Sequence, residues 1–145
     1  LEGITHEESL MTGSEANCIN WIAGHILATR GRVAAAIDAP TAFPSAEVTA
    51  LYQRGSKAIT PGGPCVRLER LIEGLELSAK VIIARLDGMA DADLDADVDP
   101  SRFPIKPTEP TLGASLSFLL MHEAYHAGQI GLARRMIGKA SGLGV

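Results

Sequence analysis

Apolar side chains recur at three- and four-residue spacing in three long stretches of the chain, and nowhere do they alternate with the period of a strand. In the first, from Ser14 to Ile37, the residues Cys18, Trp21, Ile22, His25, Ile26, Thr29 and Val33 fall on one mostly apolar stripe. Ser14 is the expected N-cap, Glu15 suits the first turn, and Ala39-Pro40 ends the helix. The second stretch spans Val66 to Met89, with Leu68, Leu71, Ile72, Leu75, Ala79, Ile82, Ile83 and Leu86 on a broad apolar face. The third runs from Thr111 to Ile137, where Gly138 offers a C-cap and Arg134 and Arg135 suit the C-terminal dipole. A shorter helix is expected between Ser45 and Arg54, before the breaker run Thr60-Pro61-Gly62-Gly63-Pro64. From Ala90 to Pro110 the pattern gives way to an Asp-rich and then Pro-rich loop. Long helices joined by proline-bearing loops predict an all-α fold, an antiparallel helical bundle.

Composition narrows the partners. At 145 residues, 46% of them apolar, the chain suits one domain spanning 1–145 that can bury a core without staples. Its net charge of −4 supplies no basic face for phosphate backbones, so nucleic acid is not an expected partner. Apolar runs fall far short of the roughly 20 residues a bilayer span needs, and without a basic n-region followed by an apolar h-region no secretory signal is expected. Two cysteines, Cys18 and Cys65, form neither a disulfide framework nor a metal-type pair, which suits a reducing cytoplasm.

The sharpest chemical signal is His122-Glu123-Ala124-Tyr125-His126 on the third helix. Two histidines four residues apart project from one helical face and can share a metal; two partly buried histidines in a helix interface would show the same spacing. The string matches the H-E-x-x-H pattern of zinc proteases, but no His, Asp or Glu follows His126 to serve as the downstream third ligand. A third ligand must come from upstream. His6 lies in a polar stretch and is expected to be solvated, whereas His25 sits within the apolar stripe of the first helix. His25, His122 and His126 would then supply the three nitrogens of an open metal site. A di-iron carboxylate bundle is excluded, because the position three before His25 is Ile22 rather than Glu. The run Asp91, Asp93, Asp95, Asp97, Asp99 lacks the glycine and glutamate of a calcium loop and reads as a solvated connection. Cys18 is expected to be a small buried residue, and Gln129 a donor near the site or an interface residue.

Two stretches carry a family resemblance. Asn17-Cys-Ile-Asn-Trp-Ile-Ala-Gly-His25-Ile-Leu, and the run from Thr111-Leu-Gly through His122-Glu-Ala-Tyr-His126-Ala-Gly-Gln-Ile-Gly to Arg135-Met-Ile-Gly, are similar to helices of the DinB/YfiT-like superfamily. The resemblance implies a four-helix bundle holding one divalent metal, nickel or zinc, on His25, His122 and His126. It also implies a homodimer and a small-molecule substrate. The expected activity is thiol-dependent S-transfer or isomerisation using bacillithiol, mycothiol or glutathione, with Glu123, Tyr125 and Gln129 as candidates to steer protons or orient ligands. The alternative is a non-catalytic metal-binding or interaction bundle. The family's first helix would precede Leu1, and three long helices without it leave a groove for a partner subunit to fill.

Overall fold

The computed structural model describes residues 1–12, 16–40, 45–99, 110–140 and 142. Its helices are α1 (His6–Ser9), α2 (Ile19–Ala36), α3 (Ala46–Leu51), α4 (Leu68–Asp87), α5 (Asp91–Leu94) and α6 (Leu112–Met136). Among the described residues there is no strand, only an isolated bridge between Asp97 and Thr111 that closes the loop ahead of α6. The three long helices thus lie within a few residues of the ranges their apolar spacing predicts. The expected N-cap Ser14 falls outside the described residues; α2 begins instead after Cys18, whose backbone is extended.

Helix α2 is the centre of the bundle. Ala23, Leu27 and Ala34 are buried as fully as the predicted stripe of Ile22, Ile26 and Val33, because α4 packs on one side of α2 and α6 on the other. A helix covered on two sides must be apolar nearly all round, and this one carries few charges until Arg30. Two glycines allow close approach: a Cβ on Gly74 would lie 2.6 Å from Leu27 Cδ2, and one on Gly24 only 2.2 Å from the ring of Tyr52.

Direction departs from a simple antiparallel bundle. Asn20 at the start of α2 bonds Val66 just before α4, while Arg85 near the end of α4 donates to the Ile37 carbonyl just past α2. These two helices therefore run parallel, and residues 37–67 are the long crossover that returns the chain to the same end. Helix α6 is antiparallel to α2, with Leu112 packed near Val33 and Ile37 and His126 beside His25.

The N-terminal segment is also ordered. Thr5 and Glu8 form a reciprocal capping box at the start of α1. This places His6 in the interior, only 8% exposed, where its Nδ1 accepts the backbone N–H of Leu68 at the start of α4. The expectation of a solvated His6 is corrected: the capping box turns it inward and the bundle uses it as a cap. Among the described residues, no helix is long and apolar enough to cross a membrane.

Candidate metal centre

His25 reaches the centre from the middle of α2, and His122 and His126 from successive turns of α6. One ring nitrogen from each lies within 4.8 Å of the others. The ring centroids are 4.4 Å apart for His122 and His126, 4.8 Å for His25 and His126, and 5.3 Å for His25 and His122. The fold thus brings together, from two elements far apart in sequence, the residues singled out as candidate ligands.

Hydrogen bonds assign the tautomers. His25 Nδ1 lies 2.8 Å from the Tyr52 carbonyl, which can only accept, so Nδ1 carries the proton and Nε2 presents a lone pair. His126 Nδ1 lies 2.7 Å from Gln129 Oε1, while the Gln129 amide nitrogen donates to the Tyr125 hydroxyl at 3.0 Å. That polarity puts the proton on His126 Nδ1 and again leaves Nε2 free. His126 Nε2 faces His122 Nε2 at 3.1 Å, and among the described residues the buried His122 Nδ1 has no partner. A histidine serving only as packing satisfies its ring nitrogens; these three leave theirs converging. Nitrogens held about 2.0–2.1 Å from a tetrahedral ion lie somewhat over 3 Å apart; the His122–His126 pair already has that spacing at 3.1 Å, and with His25 the three donors lie within 4.8 Å, a set of neutral nitrogens that suits a divalent metal.

Electrostatics keep the rings neutral. Burial, then the neighbouring His126 and His25, pushes the pKa of His122 down to about 4. Burial likewise lowers that of His25, against the opposing pull of the Tyr52 carbonyl. Neutral imidazoles are the form that binds metal.

Support for the ring of His25 comes from residues the sequence reading did not single out. Trp21 stacks on it, 4.8 Å away and 9° from parallel, and anchors its indole N–H on Ser56 Oγ. Tyr52, whose carbonyl holds His25, is itself fully buried. Its hydroxyl donates to Asn20 Oδ1 and accepts from the Val66 N–H, and burial raises its pKa to about 12. A tyrosine at the end of a short helix gives no sequence signal for this; the only hint is the glycine before His25, which leaves space for the tyrosine ring.

The other candidates part company. Tyr125 and Gln129 line the same cleft as the histidines. Glu123 does not: one residue on from His122, and so about 100° round the helix, it points elsewhere, and both its oxygens are held by Arg30, at 2.7 and 2.8 Å. Arg30 also donates to the Leu75 carbonyl of α4, so this pair ties three helices together. Cys18 is buried, as expected, and lies against the Ile59 carbonyl rather than among the metal candidates. Asp93 of the acidic run caps α5 by accepting the Ala90 N–H.

A cleft of about 510 Å³ opens beside the three imidazoles. Its described lining contains no carboxylate and no cysteine, so no fourth protein ligand of those types closes the centre.

An all-helical bundle with three convergent histidines at the floor of a cleft defines a class of candidate metal-binding proteins. The chain belongs to the DinB superfamily, whose family model matches residues 4–130. No curated protein and no solved structure matches it.

Proposed function

We propose that this chain is a metal-dependent enzyme in which His25, His122 and His126 hold one divalent ion, nickel or zinc, and which transfers or isomerises a small molecule with a low-molecular-weight thiol. The observation that carries the reading is the pairing of three convergent imidazoles with a cleft of about 510 Å³ on their open side. A purely structural metal would have a fourth protein ligand and no need of the cleft. The choice of a thiol reaction follows the resemblance drawn from Asn17–Leu27 and Thr111–Gly138.

The chain's own residues divide the work. His25 and His126 present Nε2 lone pairs aimed by the Tyr52 carbonyl and Gln129, and His122 brings its Nε2 within 3.1 Å of that of His126. A divalent ion supplies Lewis acidity there, lowering the pKa of a thiol or water so that a nucleophile exists at neutral pH. Trp21 and Tyr125 give the cleft aromatic walls. The Tyr125 hydroxyl accepts from Gln129 and is 61% exposed as a residue, so its own O–H is available to donate to a ligand. Glu123, engaged by Arg30, holds the helices in register.

The test is metal analysis followed by a thiol-transfer assay with bacillithiol, mycothiol and glutathione. The expected result is near one divalent ion per chain and turnover with one thiol that is lost on chelation. A chain that binds its metal fully but turns over none of them would support the binding module instead.

A further inference from the structure

Arg32 and Arg54 both line the histidine cleft, both are exposed, and among the described residues neither forms a hydrogen bond or an ion pair. Other arginines are engaged: Arg30 and Arg70 with glutamates, Arg85 and Arg134 with backbone carbonyls. Nor does the described lining contain an acidic residue to neutralise the two guanidinium groups. On a chain of net charge −4, this cleft therefore concentrates positive charge.

Their placement gives the charge a direction. Arg32 follows His25 by seven residues on α2, with Thr29 between them also in the lining, which sets the two about 10 Å apart along the helix axis. Arg54 enters from the segment after α3, two residues beyond the Tyr52 carbonyl that holds His25. Two planar forks from separate elements suit an oxyanion, which guanidinium groups bind bidentately.

We propose that Arg32 and Arg54 form an oxyanion subsite of this cleft, so that the small molecule handled at the histidines carries a carboxylate or phosphate group apart from its reacting end. The inference rests on the reading of this cleft as the ligand site and adds the chemical class of the ligand.

The chain's single tryptophan, Trp21, lines the same cleft and reports on it. Adipate, its neutral diamide adipamide and inorganic phosphate are titrated into the chelator-treated chain at low ionic strength, following Trp21 emission. Saturable binding of adipate or phosphate is expected, with adipamide at least tenfold weaker. Adipate bound more tightly than phosphate names a carboxylate ligand and the reverse order a phosphorylated one; either upholds the subsite. R32Q and R54Q should each weaken anion binding at least tenfold, with Arg32→Lys and Arg54→Lys losing less. Both side chains are exposed and unbonded, so these variants should fold and retain their metal. Adipamide binding as tightly as the anions, or variants that bind them unchanged, would overturn the proposal. Metal content is measured alongside: anion binding that persists in a chain unable to load metal would defeat the three-histidine reading and leave this one standing.

Discussion

His122 enters the centre with a buried Nδ1 that has no partner among the described residues and with Nε2 3.1 Å from Nε2 of His126, and the orphaned nitrogen costs stability. In the metal-free protein its pKa is held near 4, against about 6.5 for an exposed imidazole. The folded state then binds fewer protons than the unfolded chain. Its contribution is complete above pH 6.5 and is lost as the pH falls through about 4. Urea midpoints of chelator-treated protein should therefore drop between pH 6.5 and 4, and drop less in His122→Phe; equal slopes in the two proteins would contradict the assignment. Gln129 fixes the tautomer of His126. Gln129→Leu should lower metal affinity by about 10- to 100-fold while leaving stability close to wild type, as read by competition with a chelating dye. At this scale the sequence was informative where chemistry and spacing coincide. His122 and His126 show a metal pair by themselves, and His25 stands out as a polar ring on an apolar stripe. Tyr52 and Asn20 were not legible, because Tyr52 acts on His25 through its own backbone carbonyl and the two side chains bond each other, contacts that exist only after folding.

Helical spacing gave the long elements to within a few residues, since burial on one face is what the 3.6-residue period records. Their direction was not legible. The crossover of residues 37–67 lets α4 run parallel to α2, and a loop pattern does not say to which end the chain returns. Short α1 was missed although Thr5 and Glu8 spell a capping box, and with it the inward turn of His6. Two substitutions test how the elements meet. Gly24→Ala would drive a methyl into the ring of Tyr52, whose hydroxyl is pinned at both ends. It should cost about 3 kcal/mol in urea unfolding and weaken metal binding through His25; a wild-type midpoint would contradict that packing. Arg30→Ala leaves Glu123 unpaired between α2 and α6. The two side chains are 21% and 27% exposed, so water recovers part of the loss and the expected cost is about 2 kcal/mol rather than that of a fully buried pair. Glu123→Gln should likewise lower stability while leaving metal content near wild type, whereas the general-base glutamate of a zinc protease could be replaced with little change in either.

At the scale of the whole molecule, α4 and α6 flank α2 and leave between them an apolar groove of about 430 Å³ lined by Val33, Ile82, Ile83, Leu86, Leu116 and Leu120. Leu120 is 73% exposed and Ile83 57%, a patch that water does not tolerate cheaply. We expect a homodimer that covers this groove, dissociated by Leu120→Lys; small-angle scattering of a compact monomer at micromolar concentration would contradict it. The cleft on the other side of α2 could not be read from the sequence, since its walls come from α2, α6 and the crossover.

That three-element construction makes His25 the decisive residue. His122 and His126 are neighbours on one helix whatever the fold does, whereas His25 joins them only if α2 and α6 pack as described. Metal content of purified His25→Ala, measured beside His122→Ala and His126→Ala, tests the centre most directly. The expected result is folded protein in all three, with metal lost from His25→Ala as severely as from His126→Ala. Full metal occupancy in folded His25→Ala would contradict the three-histidine centre and leave a two-histidine site on α6 alone.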